Sequence, residues 1–405
     1  MPGKVVIISQ HYPPDPSTTA AIMAEIANHL AQDAAVLALS GTPNSASAAK
    51  PGRPTVTEIR NRIPEKGALA KRAVAELLFT TRAFFALLKH ARRGDVVITV
   101  TAPFMLPYAS VAAAWLKGAR SALILHDLFP DVLVMSGVLK QGSIVAAIIR
   151  AGNAIMFRLI DRVITIGRDS ERLLSRYRGL TPEKIRFIPN WATLSPAVRP
   201  IDASNPFRGR IAARFVVGLS GNLGFTHDPL IVFEAARQLH DNPDIHFLLS
   251  GWGLGFETLK QLQEQTKLTN VTLIDRVADT ELEAFLSAAD VWLIPYRRNV
   301  AGVSVPSRFY NLLAVGRPVI LVSEPEAEAA LIVAENRLGW VVMPGASADL
   351  AAAIRAASQS AASPMAARAV AAAANFALDR AMTSYRQLVI ELLQESEGST
   401  SHEKR

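Results

Sequence analysis

A basic residue stands at the start of a predicted helix within residues 303–318, VSVPSRFYNLLAVGRP. Pro306 and Ser307 are typical of a first helical turn, and a Gly and a Pro mark the helix end. Arg308 is unusual in the first turn, because the helix dipole favours anions there. A bound anion, shared between Arg308 and free backbone N–H groups, would explain it. The stretch alone is also compatible with a surface arginine on a capped helix.

Two glycine-rich segments each follow a predicted strand. In SGNLG (220–224), Gly221 and Gly224 would let the backbone approach a phosphate, with the next helix pointing its N-terminus at it. An ordinary strand-to-helix turn would contain the same glycines. GWGLG (251–255) lacks the GxGxxG spacing of a dinucleotide fingerprint, and the chain has no GxxxxGK[ST] motif. NAD binding is therefore weakly supported, and a P-loop ATPase is not supported.

An imidazole and two carboxylates follow another predicted strand, in HDLFPD (126–131). At the carboxyl end of a strand, His126 and Asp127 could act as acid, base or hydroxyl ligands. A helix-capping Asp beside a packed His is an equally simple interpretation.

Composition limits the possible functions. The 405 residues predict two domains, and a hydrophobic content of 50% allows sizeable cores. The absence of cysteine excludes disulfides and thiolate metal sites and fits a reducing compartment. The eight His show no ligand spacing, so we expect no metal.

Charge is divided unevenly along the chain. Residues 1–200 contain 25 Lys and Arg against 13 Asp and Glu, a net +12, whereas residues 201–405 contain 18 against 22, a net −4. A basic half could bind an anionic membrane surface or phosphorylated substrates. Nucleic acid is the weakest candidate partner, because no nucleic-acid-binding motif is present in the sequence. The basic helix predicted over 66–93 could dock on anionic lipid, or could pack its apolar side in the core and leave a basic outer face.

No membrane span or signal peptide is predicted. The segment VVIISQ (5–10) is too short for a signal-peptide core. The uncharged run 96–116 is long enough to cross a bilayer, but Pro103 and Pro107 interrupt it, so we predict strand, turn and helix there. We expect a cytoplasmic protein, peripheral on the inner face of the cytoplasmic membrane.

Strands and helices alternate through both halves. The pattern predicts two α/β domains with parallel sheets, separated by the proline-containing linker 192–210. Ligand sites are expected at the strand carboxyl ends, facing a shared cleft. The predicted boundaries are 1–195 and 210–363 for the two domains, 364–393 for C-terminal helices and 394–405 for a disordered tail.

The motifs together, in this order along the chain, resemble the family 4 glycosyltransferases of the GT-B fold, closest to a branch that assembles bacterial cell-surface polysaccharides. The resemblance covers 4–392. It is carried by QHYPPDPSTTA (10–20), TVTAPFMLP (99–107), HDLFPDVLVMSGVL (126–139), IPNW (188–191), SGNLG (220–224), LSGWGLG (249–255), VPSRFYNLLAVGRPVI (305–320) and EAALIVAENRLGWVV (328–342).

The resemblance implies a retaining transferase without a metal, with two Rossmann-like domains and C-terminal helices that cross back to the N-terminal domain. The C-terminal domain would bind a nucleoside diphosphate sugar, and the N-terminal domain a saccharide or lipid-linked acceptor. The loop 12–19, His126 and Asp127 would face the transferred sugar, and Arg308 would neutralise the diphosphate as the third catalytic residue. The implied donor-binding residues are Gly221, Asn222, Leu223, Gly224, Arg276, Val277, Ser307, Arg308, Asn311 and Glu328.

The sequence departs from the family pattern at three positions. Val303 and Asn311 stand where the family usually has a pair of carboxylates, and His227 is the nearest substitute for a missing Lys. Asn311 could still hydrogen-bond a ribose hydroxyl. Two alternatives follow: a GT-B-like subunit without catalysis, which serves as a partner or binding module, and a nucleotide-sugar epimerase of the same fold.

Overall fold

Two parallel sheets with helices on both faces make up residues 3–61, 69–360 and 363–402, which are the residues described by the computed structural model of the chain. The first strand, VVIIS, forms because a run of apolar, mostly β-branched residues is buried on both faces. Ser17 begins the following helix by accepting a hydrogen bond from the Ala20 N–H.

The N-terminal sheet has seven strands in the order β3-β2-β1-β4-β5-β6-β7. Its strands are β1 Val5–Ser9, β2 Val36–Ser40, β3 Thr55–Glu58, β4 Val96–Val100, β5 Arg120–Leu125, β6 Arg162–Thr165 and β7 Ile185–Phe187. Its helices are α1 Thr18–Leu30, α2 Leu69–His90, α3 Leu106–Lys117, α4 Asp131–Met135, α5 Ile144–Leu159 and α6 Ser170–Leu174.

The C-terminal sheet has six strands in the order β10-β9-β8-β11-β12-β13. Its strands are β8 Phe215–Asn222, β9 Ile245–Trp252, β10 Val271–Ile274, β11 Val291–Pro295, β12 Val319–Val322 and β13 Gly339–Val342. The helices that follow are α7 Pro229–Gln238, α8 Leu254–Thr266, α9 Leu282–Ser287, α10 Ser307–Ala314, α11 Glu328–Asn336, α12 Ser347–Gln359, α13 Ser363–Ala373 and α14 Leu378–His402.

The predicted fold class is confirmed. In each sheet the strand order reverses once, between β1 and β4 and between β8 and β11, so the carboxyl ends of these strands flank the crevice where doubly wound sheets bind ligands. Helix α14 crosses back and packs with α1 in the core of the N-terminal domain, as expected, whereas α13 packs on the C-terminal domain. The run 96–116 forms β4 and most of α3, and within the described residues no helix is long and apolar enough to cross a membrane.

The prediction of a disordered tail from residue 394 is corrected, because α14 continues to His402. Contacts of Glu395 hold the first residues of this segment in the helix. The Glu395 carboxylate pairs with Arg162, and the Glu395 carbonyl accepts a hydrogen bond from Arg120 Nη2 at 3.0 Å. Ser396 is also buried. Of the predicted helix 66–93, residues 66–68 lie outside the described residues, as do 403–405 of the tail.

The predicted linker contains no helix or strand, and a buried arginine fastens part of it to the C-terminal domain. Arg317 donates to the carbonyls of Ala289 (2.8 Å), Ser287 (2.7 Å) and, in the linker, Arg199 (2.7 Å). Burial lowers the pKa of Arg317 to about 10, and these carbonyls satisfy its donors in place of a carboxylate.

We expect Arg317→Met to lower the free energy of unfolding by about 3 kcal/mol, because three carbonyls lose their donor in the interior. Denaturant unfolding measures the loss. The exposed Arg355→Met is the matched control and should change little. Equal stability of the two variants would show that Arg317 does not fasten the linker.

Candidate active site

Arg308 lies in the first turn of α10, at the carboxyl ends of the C-terminal strands. Phe309, Leu312 and Leu313 anchor the helix in the core, while Pro306 at the N-cap offers no side-chain acceptor. The Phe309 N–H donates to the Pro306 carbonyl. Within the described residues, the N–H groups of Ser307 and Arg308 have no acceptor. The first turn therefore presents free donors together with a guanidinium.

Arg308 has no carboxylate partner among the described residues. Its one hydrogen bond there runs from Nη1 to the Ser220 Oγ, at 2.5 Å. Burial lowers the pKa of Arg308, and the positive charge of Arg276 lowers it further. Arg317 differs, because carbonyls take up its donors. Arg308 thus has the unsatisfied charge and spare donors expected of an anion-binding arginine.

Trp252 holds the two arginines of this site together. Its ring centroid lies 4.8 Å from the Arg276 guanidinium and 5.8 Å from that of Arg308. The negative face of the ring offsets part of the repulsion between the two cations. Trp252 was not among the site residues predicted from the sequence, although its place at the carboxyl end of a strand, inside GWGLG, was a usable signal.

The glycines of both loops serve the packing of one loop against the other. The β8–β9 pairing continues through Gly221–Gly251 and Asn222–Trp252, and Gly221 has φ +126°. A Cβ on Gly251 would lie 2.3 Å from the Gly221 carbonyl oxygen. A Cβ on Gly221 would lie 3.6 Å from the Arg308 Nε, so this glycine borders the anion site.

Two expectations for the loop 220–224 need correction. The Leu223 N–H donates to the Trp252 carbonyl at 2.9 Å, and its side chain is in the core, so neither group faces a ligand. The following helix, α7, has Pro229 in its first turn, and the Asp228 side chain accepts from its Leu230 N–H. Its N-terminus is therefore already capped. The Gly224 N–H has no acceptor within the described residues and stays available.

Asn311 does not reach the cleft. Its side-chain oxygen accepts from the Thr193 N–H at 2.7 Å and the Leu194 N–H at 3.2 Å. It therefore fastens the end of the N-terminal domain to α10, and the expected contact with a ribose hydroxyl is wrong for this arrangement.

Glu328 joins the two domains. Its buried carboxylate accepts from the Arg168 N–H at 2.7 Å and from the Arg168 Nε at 3.0 Å. Asp169 completes this contact by accepting from the N–H groups of Gly302 (2.8 Å) and Glu328 (2.9 Å). The prediction that Glu328 binds the sugar donor is corrected, because its carboxylate already accepts hydrogen bonds from Arg168.

The remaining residues predicted to bind the sugar donor lie around Arg308 or beside it. Asn222 is exposed at the end of β8, Ser307 begins α10, and Val277 is half-buried against the core beyond β10. Arg276 is exposed, and its Nη2 reaches the Pro16 carbonyl of the N-terminal domain at 3.5 Å. This contact brings the predicted loop 12–19 to the donor side of the cleft.

His126 and Asp127 follow β5 on the N-terminal side. Both backbone N–H groups donate to the Thr101 Oγ1 at 3.2 Å, and the buried His126 Nε2 has no hydrogen-bond partner. Burial lowers the pKa of His126 to about 4 and raises that of Asp127 to about 6. Near neutral pH the imidazole is neutral and Asp127 is mostly ionised.

Tyr296, directly after β11, faces these groups from the C-terminal domain. It is buried and its ring stacks on His227 with centroids 4.9 Å apart. Burial raises the pKa of Tyr296, and the charges of Asp127 and Asp169 raise it further. The cleft therefore has a carboxylate and an imidazole on one side, and a cationic, donor-rich pocket on the other. The sequence analysis did not identify Tyr296.

Comparisons with known proteins match both halves. The model of the "Glycosyl transferase 4-like domain" matches residues 17–191, and that of "Glycosyl transferases group 1" matches residues 214–360. A Pseudomonas aeruginosa protein named "Probable glycosyltransferase WbjE" is 29% identical over 69% of this chain and 70% of its own. WcaI of Escherichia coli, named as a colanic acid biosynthesis glycosyl transferase, is 27% identical over 68% of this chain and 69% of its own.

The solved structures agree on the fold. HepE from Anabaena, in complex with UDP-glucose, is 16% identical and superposes with a TM-score of 0.66, covering 97% of this chain and 99% of its own. One glycosyltransferase model accounts for each domain, and the two sheets have the matching arrangement. The chain therefore belongs to the family 4 glycosyltransferases of the GT-B fold.

Proposed function

We propose that the protein transfers a sugar, with retention of configuration, from a nucleoside diphosphate sugar to an acceptor in the assembly of a cell-surface polysaccharide or glycolipid. One observation carries the proposal: Arg308 is a partly buried cation whose hydrogen bonding in the described chain is limited to one hydroxyl. The colanic acid named for WcaI supports the product class, and the UDP-glucose bound to HepE supports the donor class.

The pocket would act on the leaving group. As the bond between sugar and diphosphate breaks, negative charge grows on the diphosphate. Arg308 and the free N–H groups of Ser307 and Gly224 would stabilise that charge. Trp252 would keep Arg276 beside Arg308, which doubles the positive charge available. We expect no metal, because the guanidinium groups would supply the positive charge.

The N-terminal groups would position the reacting hydroxyl. Asp127 would accept a hydrogen bond from the acceptor hydroxyl or the transferred sugar, and neutral His126 could accept or donate through its free Nε2. The domain contact through Asp169 and Glu328 would hold the two halves of the site at a fixed separation and keep water out.

A thermal-shift screen of nucleotide sugars, followed by product analysis, tests the function. Stabilisation by one donor, followed by transfer to a saccharide or lipid-linked acceptor, is the expected result. NMR of the anomeric centre should show retention. An epimerised sugar formed without acceptor, or donor binding with neither transfer nor hydrolysis, would replace the proposal with one of the two alternatives.

Arg308→Ala should weaken UDP binding by roughly a hundredfold, because the diphosphate loses its guanidinium partner. Calorimetry with UDP and with uridine separates the two parts of the ligand, and uridine binding should change little. Arg237→Ala, an exposed arginine of the same domain paired with Glu234, is the matched control. Unchanged UDP affinity in Arg308→Ala would contradict the assignment.

Asp127→Asn should abolish transfer while raising stability. The folded pKa of about 6 lies above the ordinary Asp value of 3.8, so the stability that protonated Asp127 contributes is lost as pH rises through about 6. Asn removes that loss and should add up to roughly 3 kcal/mol at neutral pH. Wild-type transfer should fall as pH decreases through about 6.

Activity against pH, together with denaturant unfolding at neutral pH, checks this prediction. Asp33→Asn, an exposed carboxylate on the same domain, is the control and should resemble the wild type. An Asp127→Asn variant that keeps the wild-type rate would remove Asp127 from the reaction.

A further inference from the structure

A layer of three helices, α2, α3 and α5, covers one side of the N-terminal sheet, opposite α1 and α14. Its outer surface is unusually apolar on α3 and α5, which pack against each other. We call this surface the α3–α5 face; it consists of Trp115 (60% exposed), Leu116 (57%), Ile144 (79%), Ile148 (65%) and Ile155 (65%).

Helix α5 has apolar residues where a surface helix normally has charges. Its inner positions, including Ala146, Met156 and Phe157, pack on the sheet, as expected. Its outer positions include Ile144, Ile148 and Ile155, and the helix contains no Asp or Glu. From Ile144 to Ile155 this stripe extends about 16 Å at the helical rise. Water-exposed apolar surface of this kind is characteristic of an interaction site.

The charged residues of α3 and α5 themselves have one sign. Neither α3 nor α5 contains an acidic residue. Lys117 ends α3, Lys140 precedes α5 and Arg158 lies in its last turn. Within the described residues, none of the three pairs with a carboxylate. Apolar side chains bordered by unpaired cations match a surface that is both apolar and anionic.

We propose that the α3–α5 face rests on a lipid bilayer that contains anionic phospholipid. A second copy of the chain fits less well, because a two-fold contact would bring together two copies of a surface on which Lys117, Lys140 and Arg158 are unpaired cations. Helix α2 also exposes Leu77 and Phe85, but the adjoining residues 62–68 are not described, so the proposal rests on α3 and α5.

The same two helices lead to the candidate site. A small cavity between them is lined by Tyr108 of α3 and Phe157 of α5, with Phe104, Phe129 and Asp127 at its wall. An acceptor held in the bilayer would therefore approach Asp127 from the side of the domain that carries α3 and α5. This extension alone rests on the proposed function.

Vesicle co-sedimentation tests the proposal. The full chain is mixed with phosphatidylcholine vesicles, with and without phosphatidylglycerol, and the bound fraction is measured. The wild type should bind the vesicles that contain phosphatidylglycerol. The double variant Ile148→Glu and Ile155→Glu should bind roughly tenfold less or worse, because each Glu replaces an inserted side chain with an anion.

Matched variants test whether vesicle binding depends on the α3–α5 face or on exposed apolar residues anywhere on the protein. Leu230→Glu with Met343→Glu changes two exposed apolar residues of the C-terminal domain and should bind like the wild type. Lys140→Glu with Arg158→Glu should remove the preference for phosphatidylglycerol. UDP calorimetry should give the same affinity for every variant, which shows that each is folded and keeps this test separate from that of the proposed function.

Three results would overturn the proposal. The first is vesicle binding by the variant Ile148→Glu and Ile155→Glu that equals that of the wild type, and the second is no binding by the wild type. The third is a lipid-free dimer, seen by analytical ultracentrifugation, that the same variant converts to a monomer, since the face would then be an interface between copies.

Discussion

A guanidinium removed from water without a carboxylate partner is costly, by several kcal/mol for a fully buried ion, and the candidate site is built around that constraint at Arg308. The neighbouring sequence reduces the cost only in part. Ser220 accepts one hydrogen bond and Trp252 offers its ring. The glycine at 221 keeps the strand end close without adding a side chain. Under the proposed function an anionic ligand would supply what remains, so the energetic cost in the free protein would become affinity for a diphosphate.

The two domains contact each other partly through residues that the sequence motifs predicted to bind the ligand. Glu328 and Asp169 accept hydrogen bonds across the domain boundary, and Asn311 fastens the residues that leave the N-terminal domain. These contacts place Asp127 and Tyr296 on the same cleft as the arginine pocket. The usual carboxylate pair of the family is replaced by Val303 and Asn311, and the structure uses Asn311 for attachment instead. Under the proposed function, neutralisation of the diphosphate charge would then depend chiefly on Arg308 and Arg276.

Much of the fold could be predicted from the sequence, because buried strands of β-branched residues, helix caps and glycine stops are local signals. The parallel pairing within both sheets follows from the alternation of strands with helices. Arg308 was singled out from the sequence because a cation in a first helical turn contradicts the dipole rule. Leu223, Asn311 and Glu328 were misassigned because spacing does not reveal which donors and acceptors already have partners. The C-terminal helix extends beyond the predicted end at 393, because Glu395 meets Arg162, more than 200 residues earlier in the chain. The contact of Trp252 with two arginines and the α3–α5 face required the tertiary structure, since each joins residues that are distant in sequence.

The most direct test of the central claim is a crystal structure of the protein with a bound nucleoside diphosphate. The diphosphate should lie within hydrogen-bond distance of the Arg308 guanidinium and the N–H groups at the start of α10, with Arg276 still against Trp252. A diphosphate bound elsewhere, or an Arg308 that keeps Ser220 as its one partner while the nucleotide is present, would contradict it.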